Sequence, residues 1–276
     1  MAKAVKLGQN FLVDKNIARK IVGEFLPQIA GGDMPDPASR SLGTGGPVLE
    51  IGAGPGILSE MLLEAIPAER LTLVEIDPYL VRNLRQRLGD RVRILEKNIL
   101  DIDLAGLFQG RKVAVIGNLP YHISKELVDW FIAQRAEIET AVLMLQKDFI
   151  DKLLSAGGKK YNAQSVVFSL LFESRRCFNV FPGSFAPRPR VMSTVLAVSP
   201  AESPLQAQGD EFYRFARLCF SERRKTLYNN LFPRHGATAL QAAFADAAIP
   251  AQARAEQLPL RTFHEIFLAL SASTGP

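Results

Sequence analysis

Cysteine is scarce in this 276-residue chain, and its two copies, Cys177 and Cys219, have no His or Cys at ligand spacing. That excludes a disulfide framework and a structural zinc site, so both thiols read as ordinary core or near-surface residues. Histidine is nearly as rare, with three copies. His235 and His264 stand in no constellation with a carboxylate or thiol, and no metal is expected. No apolar run reaches the roughly 18 residues that cross a bilayer, and no basic, apolar, small-residue leader opens the chain. A cytoplasmic protein without a membrane partner is expected. Acidic residues are sparse in one stretch: from Ser174 to Gly236 ten Lys and Arg face four Asp and Glu. The segment's +6 exceeds the net +5 of the whole chain.

What is present is a globular composition, 47% hydrophobic, enough for one large domain and a small one. Apolar runs at 47–51, 71–76, 91–96, 112–117, 140–146, 165–173 and 191–198 read as strands. Helical patterns fit 14–27, 56–65, 78–88, 122–135, 147–156 and 161–165. This alternation predicts an α/β fold with a mostly parallel sheet covered on both faces, the last two strands forming an antiparallel edge. After the Ser199–Pro204 stretch the pattern is helical only, near 208–220, 222–232, 237–247 and 262–271. We place domains at 1–202 and 203–276, with a mobile loop at 31–47, low in apolar residues and rich in Gly and Pro.

Two motifs sit at strand ends. Val48-Leu49-Glu50-Ile51 runs into Gly52-Ala53-Gly54-Pro55-Gly56 and then a helix, the arrangement that brings backbone close to a nucleotide-like ligand. A dinucleotide site wants its third glycine one residue later, where Ile57 stands, so the spacing favours S-adenosylmethionine, which has no pyrophosphate. About 20 residues on, a strand ends at Glu75-Ile76, and Glu75 reads as the acceptor of the ribose hydroxyls.

The second motif is Gly117-Asn118-Leu119-Pro120-Tyr121. An exocyclic adenine amine is a weak nucleophile because its lone pair is delocalised into the ring. Attack on a methyl group therefore needs acceptors for the amine hydrogens and a surface that grips the base. Asn118 offers a side-chain carbonyl and Leu119 a backbone one, Pro120 biases Leu119 away from helix, and Tyr121 offers a ring. His122 follows directly and reads as a capping or surface residue, since the acceptors suffice without a base.

Together these segments resemble the ribosomal RNA small-subunit adenine dimethyltransferase family (KsgA/RsmA). The likeness also covers Gly8-Gln9-Asn10-Phe11-Leu12, Met144 to Lys147, Ser184 to Val191, Arg223 to Leu227 and Arg254-Ala255-Glu256, in family order. It implies a Rossmann-like class I methyltransferase sheet with a small C-terminal helical domain. By the resemblance Gln9, Asn10, Leu12, Gly52, Gly54, Gly56, Glu75, Ile76, Asn98, Ile99 and Asn118 would bind the cofactor, and Tyr121 and Phe185 would grip the target adenine beside Asn118, Leu119 and Pro120. The implied reaction is N6,N6-dimethylation of 16S ribosomal RNA adenines within the immature small subunit, by a monomer. Two departures stand out. Asn98 replaces the usual Asp that receives the cofactor's adenine amine, which removes charge assistance and leaves Asp101 or Asp103 as candidates to take part. Tyr161-Asn162 replaces Tyr-Gly, and Asn is expected to keep a left-handed turn.

The basic stretch is expected to meet RNA through Arg223, Arg224 and Lys225, with Arg188 and Arg190, while most aromatics within it read individually as core. Three rivals remain: a large-subunit RNA methylating relative, which usually has Ile at the Leu119 position; a DNA adenine methyltransferase, where Leu119 would be Pro; and an assembly factor whose main service is binding immature subunits.

Overall fold

The computed structural model describes residues 9–29 and 45–272. Gly8 and most of the expected 31–47 loop lie outside the described residues. In chain order the elements are β1 (Phe11–Leu12), α1 (Lys15–Ile29), β2 (Val48–Ile51), α2 (Ile57–Ala65), β3 (Leu71–Glu75), α3 (Pro78–Leu88), β4 (Arg93–Glu96), α4 (Leu104–Phe108), β5 (Val113–Asn118), α5 (Ser124–Ala133) and β6 (Ile138–Gln146). There follow α6 (Lys147–Leu153), α7 (Ala163–Leu171), β7 (Phe172–Val180), β8 (Phe185–Ala186), β9 (Ser193–Pro200), α8 (Gly209–Cys219), α9 (Leu227–Asp246) and α10 (Leu260–Ala272). The described residues divide into two compact units, one drawn from 1–149 and 173–200, the other from 150–172 and 201–276.

The first unit is built on a seven-stranded sheet in the order β4-β3-β2-β5-β6-β9-β7. The strands from β4 to β6 run parallel, and β9 runs antiparallel to β6. Every residue of β2 and β3 is buried, as strands covered on both faces require, whereas the edge strand β4 carries Arg93 and Glu96 outward. From β2 the chain moves to β3 on one side and later returns to β5 on the other. The strand order therefore reverses between β2 and β5, and a crevice opens beyond their carboxyl ends. Helix α3 starts there cleanly: Asp77 caps it by accepting from Tyr79 N at 2.8 Å, Pro78 occupies its first position, and Leu80, Val81, Leu84 and Leu88 form its buried stripe.

A two-stranded ribbon, β1 with β8, pairs Phe11 with Ala186 and Leu12 with Phe185. It ties the N-terminal signature to the Ser184–Val191 segment, a link that no local pattern announces.

In the second unit Phe212 packs between Phe215 and Phe267, and Phe220 stacks on Phe263 with ring centroids 5.5 Å apart. Of the basic stretch, Phe212 and Phe215 are therefore core and Phe220 is half-buried. Thr226 caps α9, accepting from Asn229 N; the helix is broken at Gly236, whose φ of 71° and ψ of 177° are not helical.

Several expectations are corrected. The run at 165–173 is α7 rather than a strand, and β7 follows it. Asn162 is extended, at φ −160°, and caps α7 by accepting from Gln164 N and Ser165 N, so it holds no left-handed turn. Residues 222–226 form the turn ahead of α9 rather than its first turn of helix.

Candidate active site

The crevice beyond β2, β3 and β5 holds a cavity lined by three parts of the chain: Gln9 to Leu12, the loop from Glu50 to Pro55, and Asn118 to Ile123. Glu75, Ile76, Lys97, Asn98 and Ile99 complete the wall. The glycine loop is bonded to the end of β3. Gly52 N donates to Val74 O at 2.8 Å, and Gly54 N donates to Glu75 Oε2 at 2.9 Å. Glu75 Oε1 accepts from Ile76 N and Asp77 N at 2.8 and 2.9 Å. The carboxylate is thus buried, oriented by three backbone donors, and at the cavity wall. Gly54 has φ +56°, and a Cβ there would stand 3.2 Å from the Phe11 ring, so the loop and the N-terminal segment approach as closely as glycine permits.

Gly117 answers a different demand. A Cβ on it would lie 2.6 Å from Ile51 O, closer than atoms pack, so only glycine lets β5 run beside the end of β2 before the tetrapeptide turns away. Leu119 N then donates to Met144 O at 3.1 Å. Asn118 Nδ2 donates to Asn10 O at 3.3 Å. That bond sets the amide's orientation and leaves Oδ1 as its acceptor end. Tyr121 lines the cavity, and its hydroxyl meets Ser193 Oγ at 2.6 Å.

Most of the residues picked from sequence come together here. Gln9, Asn10, Leu12, Gly52, Gly54, Glu75, Ile76, Asn98, Ile99 and Asn118 all line this cavity, as do Leu119, Pro120 and Tyr121. Gly56 does not: it precedes α2, where a Cβ would stand 2.8 Å from Leu84 Cδ2, so its place concerns the packing of α3. Phe185 is not among the lining residues either: it is 4% exposed in the hydrophobic core, paired across the ribbon with Leu12, which does line the cavity. Asn98 Oδ1 accepts from Leu100 N at 3.1 Å, capping a short turn over Ile99–Asp101; Asp101 and Asp103 do not line the cavity. Arg188 and Arg190 are exposed, as are Arg223, Arg224 and Lys225. His122 is exposed and lines the cavity beside Tyr121.

Two residues escaped the sequence reading. Glu50 is 1% exposed on the cavity wall. Burial pushes its carboxyl up to about 8, with a further push from Glu75, against the opposing hydrogen bond from Ser59 Oγ at 2.6 Å. Its signal is a charge inside a wholly buried strand. Ser193 is the other, and nothing in Val-Met-Ser-Thr-Val distinguishes it.

A doubly wound parallel sheet extended by the antiparallel β9, with a Gly-x-Gly-x-Gly loop braced by Glu75 and the Asn118–Tyr121 turn at its switch point, is the arrangement of a class I methyltransferase. Residues 2–272 match the model of the family described as ribosomal RNA adenine dimethylase, and the chain belongs to that family of enzymes. The Ribosomal RNA small subunit methyltransferase A of Geobacter metallireducens is 40% identical over 282 residues, covering 98% of this chain and 96% of that protein. Its counterpart in Acidobacterium capsulatum is 35% identical, covering 96% and 90%. A dimethyladenosine transferase from Plasmodium falciparum shares the fold with a TM-score of 0.72 at 23% identity, covering 95% of this chain and 98% of that one. Among the described residues no helix is long and apolar enough to cross a membrane.

Proposed function

We propose that this enzyme uses S-adenosylmethionine to dimethylate N6 of adenines in 16S ribosomal RNA, acting as a cytoplasmic monomer on the immature small subunit. The observation that carries the reading is the convergence on one cavity of the Glu75-braced glycine loop and the Asn118 amide. The names of the relatives support the small subunit as substrate.

The residues fit the methyl donor. Glu75 Oε2 accepts one backbone hydrogen bond and keeps acceptor capacity for a ribose hydroxyl. Gly52 and Gly54 present backbone free of side chains at two positions of the loop, and Asn98 stands on the wall for the cofactor's adenine. When bound, the donor supplies an electrophilic sulfonium methyl. Asn118 Oδ1 and the Leu119 carbonyl hold the amine hydrogens of an adenine taken out of its stack, and so expose its lone pair. Tyr121 lies against the base. The attacked nitrogen becomes acidic and loses its proton to water, so no strong base is assigned, His122 included. After the first methyl one hydrogen remains, and one of the two acceptors then suffices.

Methyl transfer to unmethylated small subunits, to naked 16S RNA and to large subunits, with dimethyladenosine as the product measured, tests the reading. Transfer confined to large subunits overturns it. Asn118→Ala is expected to lower single-turnover transfer by roughly 10²-fold or more while subunits remain bound, because the acceptor acts chiefly during attack. Near-native turnover in that variant removes the clamp.

A further inference from the structure

Phe181 is the most exposed large apolar side chain among the described residues, at 68%, and Val13 is exposed at 52%. The fold brings them to one place: Ser184 N donates to Phe181 O at 3.1 Å, and Ser184 O accepts from Val13 N at 2.9 Å. The neighbouring rings of the segment have employment. Phe178 lies under Lys20 Nζ at 4.0 Å, and Phe185 is in the core. Burying a phenylalanine ring is among the larger apolar gains open to a folding chain, and this one is left in water on a short turn that begins with Pro182.

Exposed cations stand near the pair along the chain. Lys15 and Arg19 are exposed on the first turns of α1, directly after Val13, and Arg188 and Arg190 are exposed on the segment after β8. Asp14, the acid nearest in sequence, is engaged: its Oδ1 accepts from Asn16 N at 2.9 Å and Ile17 N at 3.2 Å. The ribbon beneath the pair is the one whose β1 strand continues into the cavity wall through Gln9 to Leu12.

We propose that Phe181, flanked by Val13, is a stacking platform for an unpaired RNA base next to the adenine being methylated, with Lys15, Arg19, Arg188 and Arg190 taking the adjoining phosphates. This rests on the proposed function and adds to it a contact for a nucleotide other than the target. An exposed flat ring, with exposed cations on the segments that its ribbon joins, suits a splayed base, since every base has a π-face and every nucleotide a charge. A protein interface of specific type needs a far larger apolar centre depleted of charge.

The experiment measures affinity of the full chain for small ribosomal subunits that lack the dimethyladenosines. Phe181→Ala is expected to weaken binding by about 5- to 100-fold with no fall in melting temperature. Phe181→Trp is expected to bind like the wild type, and Phe181→Leu to bind as weakly as the Ala variant. Native affinity in folded Phe181→Ala overturns the proposal. So does restoration by Leu, which would assign the patch to a ribosomal protein. Should the wild type methylate a different RNA, the proposed function fails, and the same three variants tested on that RNA still decide the platform.

Discussion

The phenolic oxygen of Tyr121 and the hydroxyl of Ser193 lie 2.6 Å apart, joining the turn after β5 to the first residue of β9. Ser193 is fully buried. Burial raises the Tyr121 pKa, and the Ser193 bond works against that rise. Ser193 pairs with Gln146 of β6, and Asn118 pairs with Met144 of the same strand. The ring and the amide are therefore referenced to one β-strand.

If Ser193 positions the ring, Ser193→Ala and Tyr121→Phe each reduce turnover by about 2- to 10-fold, the worth of one neutral hydrogen bond. The double variant should be no slower than either single one, because both remove the same contact. Fully additive losses in this cycle would show that the bond does not orient the ring.

Asn98→Asp is expected to tighten S-adenosylmethionine binding by up to about 1 kcal/mol. The present Oδ1 is engaged with Leu100 N. A carboxylate would keep that cap with one oxygen and offer the other, charged, to the cofactor's adenine amine. Titration calorimetry reads the change; weaker binding by the Asp variant means that the site depends on the amide N–H instead.

Glu50 makes stability pH-dependent. Its folded-state pKa is raised from 4.5 to about 8, so the native state holds a proton that the unfolded chain releases. The stabilisation is complete below the unfolded value and fades as pH rises through the window between the two. Glu50→Gln keeps an acceptor for Ser59 without the ionisation. Its melting temperature should overtake that of the wild type as pH climbs from about 5 to about 8, and parallel melting curves across that range would place the carboxyl's pKa near its ordinary value.

The exposed trio Arg223, Arg224 and Lys225 lies on the turn between α8 and α9, where Arg223 makes only a long 3.4 Å bond to Gly158 O. Replacing all three with Ala should leave melting and cofactor affinity unchanged. The slope of log affinity for subunits against log salt should flatten by up to about 2 to 3. An unchanged slope in the folded variant removes the trio from the RNA surface; a lower melting temperature instead would show packed aliphatic stems.

The central strands were legible because each is an apolar run, and two of them stop at a glycine or an acid, β2 at Gly52 and β3 at Glu75. The cavity was legible for the same reason, since parallel strands put those punctuating residues on one edge. The run Val166 to Phe172 misled because it is apolar on all sides. Periodicity cannot separate a buried helix from a buried strand, and the deciding signal was the Asn162 cap. Strand β7, reading Glu-Ser-Arg-Arg-Cys, is too polar to announce itself. The β1–β8 ribbon, the burial of Phe185 and the Tyr121–Ser193 bond depend on residues far apart in the chain, and no local pattern carries them.

The bonds that hold Gly52 and Gly54 to Val74 O and Glu75 Oε2 are made by the protein to itself. Glycine loses more conformational freedom on ordering than any other residue, and for this loop the loss is settled when the chain folds. A ligand arriving at the crevice meets backbone already confined to one shape, so the entropic penalty of arranging these two glycines is charged to the stability of the domain and does not reappear in the affinity for the methyl donor.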